Sequence, residues 1–502
     1  MTSSMHHSPY GNSKIVPSPI AGHPDIVPKK HPARLMPNWK LGIDPFENGI
    51  MKYKHYPMQF SDDTLEMATN QVINELTSHE YHPYYGDTVP YDICFYGDPN
   101  VQYQKAIPTS TSCGFPYKFT DRYLKANMKE EGPDGPSYRK FLSLLEEQEQ
   151  SMIKGKRLSF VHTANLKDET RSKDSTRVFF GTPLDLCLHT KRYFGEFVLF
   201  MQEDCVEKGT AMSVNPHSTD WKNIALRLSS FVPSYDQALC RDFDYAHFDG
   251  SNNQIVLAQV LKIINSWYNH HGLGRSNHVR ELLFKEISNF KYIKGNDIID
   301  MDHSLPSGSF LTLLVNCITN KLLMRYSFFR KFPELSFSNY VIDIVLGDDN
   351  VVSVHPEIAE RFTPIDVAEG VSDLGFEITL GNKEQVSGSW VSIREISFLK
   401  RTFSISETKT IRAPLDLDTL WNTMCWSKRG ILFEQILCDN IEFFYREASQ
   451  HGKDVFERET GKLRKILTAF PKFNVYPKDK ASAWRSWDFK VRCNPYFASH
   501  DF

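Results

Sequence analysis

At 502 residues, with 41% hydrophobic and 13% aromatic side chains, the chain has material for about two to four packed lobes, which excludes long-range disorder. A formal net charge of −3 excludes a surface coated in positive charge, so any polyanion has to be met by a local basic groove. Nine cysteines without a single CxxC pair exclude a zinc ribbon and argue against a disulfide framework, which fits a reducing compartment.

In chain order, residues 1–40 are rich in Pro, Ser and His and carry no helical or strand period. They read either as a loose tail or as a strap lying across another lobe. No apolar stretch follows basic residues here, so no signal peptide is expected. No run approaches the ~20 apolar residues of a membrane span, so membrane association would come through partners. Helical patches alternate with loops from about Ser61 to Leu145, and residues 158–183 read as two short strands around a charged loop. The run ALCRDFDYAHFD at 238–249 predicts a strand ending in carboxylates. Ile255, Val256, Val260, Ile263, Ile264 and Trp267 then fall at helical spacing and read as core. A second long helix is predicted from about Gly308 to Phe329, and YVIDIVLGDDNVVSVH predicts two strands around a tight acidic turn. After Pro414 the pattern is helical to about residue 470, a separate C-terminal lobe. The whole reads as α+β, with a β-rich centre between helical flanks.

The chemistry concentrates in two acidic sites about a hundred residues apart, Asp242-Phe243-Asp244 with Asp249 beyond, and Gly347-Asp348-Asp349. Carboxylates gathered at strand tips repel one another, and divalent cations give a reason to gather them. Mg²⁺ takes oxygen ligands, commonly one or two carboxylates plus substrate phosphates. Paired ions in phosphoryl transfer stabilise the attacking and leaving oxygens. Asp244 and Asp348 are the expected direct ligands, with Asp349 as auxiliary. Taken alone, a Gly-Asp-Asp turn is weak, because Gly-Asp turns are common in hairpins. No HExxH, Gly-x-Ser-x-Gly or Walker pattern supports a protease or an ATPase.

In company with five further segments, the two acidic sites resemble the RNA-dependent RNA polymerases of the picornavirus-like positive-strand RNA viruses, in seven ordered motifs from about Thr111 to Arg401. Thr111-Ser112-Cys113-Gly114-Phe115-Pro116-Tyr117 resembles the template-entrance motif, and Lys167–Arg171 with Thr176-Arg177 the basic nucleotide-channel motif. Asp244–Asp249 resembles the first acidic motif, although His247 stands where glycine is usual. Pro306-Ser307-Gly308-Ser309 with Thr312 and Asn316, then Gly347-Asp348-Asp349, Gly375–Lys383 and Phe398–Arg401 complete the series.

The resemblance implies a closed right hand of fingers, palm and thumb, with an antiparallel palm sheet flanked by helices. The expected division is fingers over 1–198, palm over 199–279, a fingers insertion over 280–304, palm again over 305–405 and thumb over 406–502. It implies two Mg²⁺ ions, replaceable by Mn²⁺, on Asp244, Asp348 and Asp349, and Lys383 as the acid that protonates pyrophosphate. Lys167, Arg171, Lys173 and Arg177 would meet the triphosphate. Asp249, Ser307 and Asn316, with Gly308 and Thr312, would hold the nucleotide and read its ribose. Thr111, Ser112, Gly114, Phe115 and Pro116 would line the template path, and Lys400 and Arg401 would touch primer phosphates. Expected partners are template and primer RNA, ribonucleoside triphosphates, a protein primer and other viral replication proteins. The expected location is the cytoplasm of an infected cell, at membrane-associated replication complexes. Two rivals are a reverse transcriptase, against which Asp249 in place of an aromatic gate argues, and a catalytically silent RNA-binding scaffold, against which the intact carboxylates argue.

Overall fold

Two runs rich in Val and Ile either side of Gly347 fold Val341–Leu346 and Asp349–Val354 into a hairpin. The computed structural model describes residues 6–54, 56–172, 175–405, 411–430 and 432–473. In it the hairpin belongs to an antiparallel sheet ordered Ile378–Leu380, Leu239–Tyr245, Asp349–Val354, Val341–Leu346, with Val391–Ser392 pairing the start of the second strand. The predicted acidic strand is therefore central, and the acidic hairpin is its neighbour.

The helix Thr312–Phe329 packs behind this sheet and is buried along its length apart from Leu313. Its first half, with Leu314, Val315 and Ile318, joins a core built around Phe197, Val260, Ile264 and Trp267. Its second half, with Leu322, Leu323 and Phe328, joins a different core with Val352, Val371 and Phe376. A helix with apolar side chains on every face belongs in such a double interior, provided its polar groups are bonded there. Arg325 clamps it in place, donating to both oxygens of Asp343 at 2.5 and 2.9 Å and to Glu75 at 2.6 Å. Burial alone would raise the Asp343 carboxyl, but Arg325 and Lys321 hold it down at about 2. The amphipathic helix expected after the first acidic strand is Gln254–His270.

The strands expected in 158–183 are Val161–Leu166 and Val178–Gly181, with the short Thr170–Arg171 between them. They share a sheet with Phe290–Lys294 and Asp297–Met301, so the 280–304 segment joins chain a hundred residues upstream. The C-terminal lobe is built from helices Leu417–Cys425, Phe433–Ser449 and Lys453–Thr468.

Of the two readings of the N-terminal segment, the strap is what forms. Ile15–Pro17 pairs with Trp426–Lys428, and Ile20 and Ile26 are buried in the C-terminal core. Farther along, His31–Pro32 pairs with Thr170–Arg171, and Asp168 accepts from Ser13 Oγ at 2.6 Å and Lys14 N at 2.7 Å. The strap thus ties the basic loop to the C-terminal helices. Every described cysteine is free.

Candidate active site

Strand register brings the two acidic sites together. Phe243 pairs with Asn350 and Asp242 with Val351, so one step onward Asp244 lies alongside Asp349. Gly347 turns the hairpin at φ +64°, the left-handed conformation that a two-residue turn asks of its first residue. Burial raises the Asp348 carboxyl, and Asp249 and Asp244 raise it further. Asp349 is pushed up to about 6 by burial, Asp348 and Asp244, against the pull of Lys400 and Lys383. Asp242 is set apart by its partners. It accepts from Ser397 N and Ser397 Oγ, both at 3.0 Å, and serves the neighbouring hairpin.

Lys383, at φ +70°, ion-pairs with Asp244. Among the described residues no three His, Cys, Asp or Glu side chains form a ready metal cage. With Asp244 drawn onto an ammonium, none is expected. The donor set still fits a hard divalent cation. It consists of carboxylate oxygens, of which burial and neighbouring acids already disfavour the charged forms of Asp348 and Asp349, and Mg²⁺ needs only one or two of them beside phosphate and water. One outcome follows for chelated protein. A carboxyl raised to about 6 destabilises the fold fully above that pH and not at all below its ordinary value of about 4. Asp349→Asn should therefore melt above wild type at pH 7, and the gap should close as pH falls from 6 towards 4. A pH-independent gap in calorimetry would refute this.

Asp249 follows His247, whose φ of +57° explains why the small glycine is usual there. Its Oδ2 accepts from Ser307 Oγ at 2.8 Å and its Oδ1 from Asn316 Nδ2 at 2.6 Å. Tyr53 stands beside this pair, its hydroxyl pushed well up by burial and by Asp249, and nothing in its sequence surroundings signals that place. Gly308 N–H donates to Phe180 O at 3.0 Å, and a Cβ there would lie 2.4 Å from that same oxygen. Thr312 donates its hydroxyl to Pro306 O at 2.8 Å and braces the loop.

In the basic loop three cations gather on one acid. Lys167, Arg171 and Arg177 lie 3.6, 3.1 and 3.6 Å from Glu169. Lys173 lies outside the described residues. Lys400 sits at the tip of the Ser397–Phe398/Arg401–Thr402 hairpin at φ +61°, close enough to Asp349, Arg177 and Glu169 to interact with each. Burial and then Lys30 lower its pKa. Arg401 corrects the sequence reading. It is buried, donates to Glu447 at 2.7 and 3.0 Å and to Ala413 O at 2.8 Å, and so pins this hairpin to the C-terminal lobe instead of meeting primer phosphates.

The 111–116 loop lies against residues 182–184, where a Cβ on Gly114 would meet Pro183 at 2.7 Å. Thr111 and Ser112 are exposed, and Phe115 and Pro116 are half-buried around a cis peptide bond. Lys125, unnoticed in the sequence, donates to Thr111 Oγ1 at 2.7 Å and Ser112 O at 3.0 Å and ties the loop down from beneath.

A replicase polyprotein of Drosophila C virus (strain EB) is 30% identical over 503 aligned residues, covering 91% of this chain and 27% of the polyprotein. A genome polyprotein of Rice tungro spherical virus (strain A) is 26% identical, over 85% of this chain and 13% of its own length. The chain thus spans about a quarter or less of these relatives. Among solved structures, the Sicinivirus 3Dpol RNA dependent RNA polymerase superposes with a TM-score of 0.76 at 19% identity, covering 97% of both chains, and shows the fold to be that right hand. The family model described as viral RNA-dependent RNA polymerase matches residues 19–468, so the chain belongs to that family.

Proposed function

We propose that the chain joins ribonucleoside monophosphates to an RNA 3′-hydroxyl and releases pyrophosphate, using two Mg²⁺ ions on Asp244 and Asp348 with Asp349 beside them. The use of divalent metal belongs to the family as a whole. The two-ion arrangement and replacement by Mn²⁺ are the proposed part. When bound, such ions make the attacking hydroxyl a better nucleophile and offset charge on the phosphates. The single observation that carries this reading is the convergence of Asp244, Asp348 and Asp349 on adjoining strands, where Asp244 adds to the burial that raises Asp348 and Asp349.

The remaining residues act around that centre. The cations now on Glu169 exchange that carboxylate for a triphosphate, which offers more negative charge and more acceptor oxygens. Lys383 leaves Asp244 and delivers its proton to pyrophosphate. Asp249, held at both oxygens by Ser307 and Asn316, is fixed in orientation and accepts from a ribose 2′-hydroxyl. That fixed acceptor favours the RNA polymerase over a reverse transcriptase. Asp249→Ala is expected to reduce the preference for ribo- over deoxyribonucleotides by about 10²-fold, because a site built around a hydroxyl rejects its absence strongly. Unchanged discrimination would remove Asp249 from sugar reading.

Template and primer RNA and ribonucleoside triphosphates are the working partners. A protein primer and further replication proteins are proposed from the polyprotein setting of the relatives. Work at membrane-bound complexes in the cytoplasm of an infected cell would run through such partners. Among the described residues no helix is long and apolar enough to cross a membrane. Primer extension on a defined RNA template, with each metal and each sugar in turn, tests the whole reading. Absence of metal-dependent extension by folded protein would overturn it.

A further inference from the structure

The helix Thr312–Phe329 is buried on nearly every side, yet its turn Asn316-Cys317-Ile318-Thr319-Asn320 carries polar atoms into that interior. Buried polar atoms destabilise unless they are bonded, so the partners show what each one holds. Asn316 reaches Asp249, as described. Thr319 Oγ1 donates to Asn252 Oδ1 at 3.3 Å, on the same acidic segment. Asn320 is fully buried and makes four contacts. Its Nδ2 donates to Gly347 O at 3.1 Å and to Asp348 O at 3.4 Å. Its Oδ1 accepts from Tyr245 Oη at 3.1 Å and from Asn350 Nδ2 at 3.3 Å. Cys317 Sγ accepts from Gly347 N–H at 3.2 Å.

Both backbone groups of Gly347 are therefore gripped from one helical turn. The same amide is bonded to Tyr245, the residue next to Asp244. Only an amide can donate to two carbonyls and accept from a hydroxyl at once. An aspartate here would turn an oxygen towards carbonyl oxygens, and a leucine would leave all four partners unmet.

We infer that Asn320, assisted by Cys317, is a positioning residue that sets the Gly347-Asp348-Asp349 turn against the strand carrying Asp244, so that one divalent cation can meet both acidic sites. It touches neither nucleotide nor RNA and acts through the turn backbone and Tyr245. The inference rests on the reading of Asp244 and Asp348 as metal ligands and adds the part that sets their spacing.

The test uses the full chain and two variants, Asn320→Leu and Cys317→Ala. Mn²⁺ binding is followed by electron paramagnetic resonance, and primer extension is measured across a Mg²⁺ series at saturating nucleotide. Asn320→Leu should weaken Mn²⁺ binding and raise the half-maximal Mg²⁺ concentration by about 10–100-fold, the range for groups that orient metal ligands. The KM for nucleotide at saturating Mg²⁺ and the affinity for RNA should stay near wild type, which a general loss of folding would not allow. Cys317→Ala should move the metal curves in the same direction by less. Folded variants with wild-type Mn²⁺ binding and an unmoved Mg²⁺ curve would overturn the inference. Should Asn320→Leu fail to fold, Cys317→Ala decides alone, and an unshifted metal curve overturns the inference. Asp348→Asn run in parallel separates the two readings. Wild-type Mn²⁺ binding by that variant sinks the metal site itself. Loss of Mn²⁺ there with retention in Asn320→Leu sinks only the positioning role.

Discussion

Asp348→Asn is expected to lower metal-dependent primer extension by at least about 10³-fold while leaving RNA binding and folding in place. A factor of 10³ corresponds to about 4 kcal/mol of transition-state stabilisation. The two halves of that expectation come from the same electrostatics. The fold gains nothing from the Asp348 charge, since burial and the neighbouring Asp249 and Asp244 all oppose it. Removing the charge while keeping the shape relieves that opposition, so the metal-free variant should melt at or above the wild-type temperature. Catalysis loses a hard anionic ligand that an amide oxygen replaces poorly. The checks are single-turnover extension and a melting curve in chelator. Extension within tenfold of wild type would refute the assignment, and a collapsed melting curve would refute the claim that the charge serves chemistry alone.

The second large effect is on stability. Glu447 is fully buried and accepts from Arg401 at 2.7 and 3.0 Å, and its Oε1 lies 2.9 Å from His217 Nε2. Burial alone would raise its carboxyl, yet His217 and Arg401 hold it at about 2. Glu447→Gln keeps the volume and strands the Arg401 guanidinium, and breaking a buried pair in this way costs about 3–5 kcal/mol. Urea unfolding should show that loss. A change below about 1 kcal/mol would mean that the lobes are held together elsewhere.

The acidic centre is legible in the sequence because short carboxylates at the ends of apolar, strand-forming runs have few structural uses. The long buried helix is legible from the length of its apolar run. The ordered motifs then point to the right-hand fold before any coordinates. Other features depend on partners far along the chain. Arg401 looks like a phosphate contact beside Lys400, and only the fold brings Glu447 to it. The Pro- and Ser-rich strap has no period of its own, because its pairing is dictated by Trp426–Lys428 and Thr170–Arg171. The bond that Thr312 makes to the loop preceding it likewise needs the fold to be seen. Asn320 had a signal that could have been read, an amide one turn after Asn316 and Cys317 in a helix rich in Leu, Val, Ile and Phe. Glu169 had one too, an acid next to Asp168 between Lys167 and Arg171.

The strap also sets the order of events during synthesis. Ser18 donates to Met424 O across 406 residues of intervening chain. At ribosomal rates of roughly 5–20 residues per second, that separation is about 20–80 s of elongation. Through that interval Ile15–Pro17 has no strand to pair with, and Ile20 and Ile26 have no core to enter. The strap is thus made long before its partners and docks after them, and synthesis stalled before residue 424 would leave Ile15–Pro17, Ile20 and Ile26 open to chaperones and proteases.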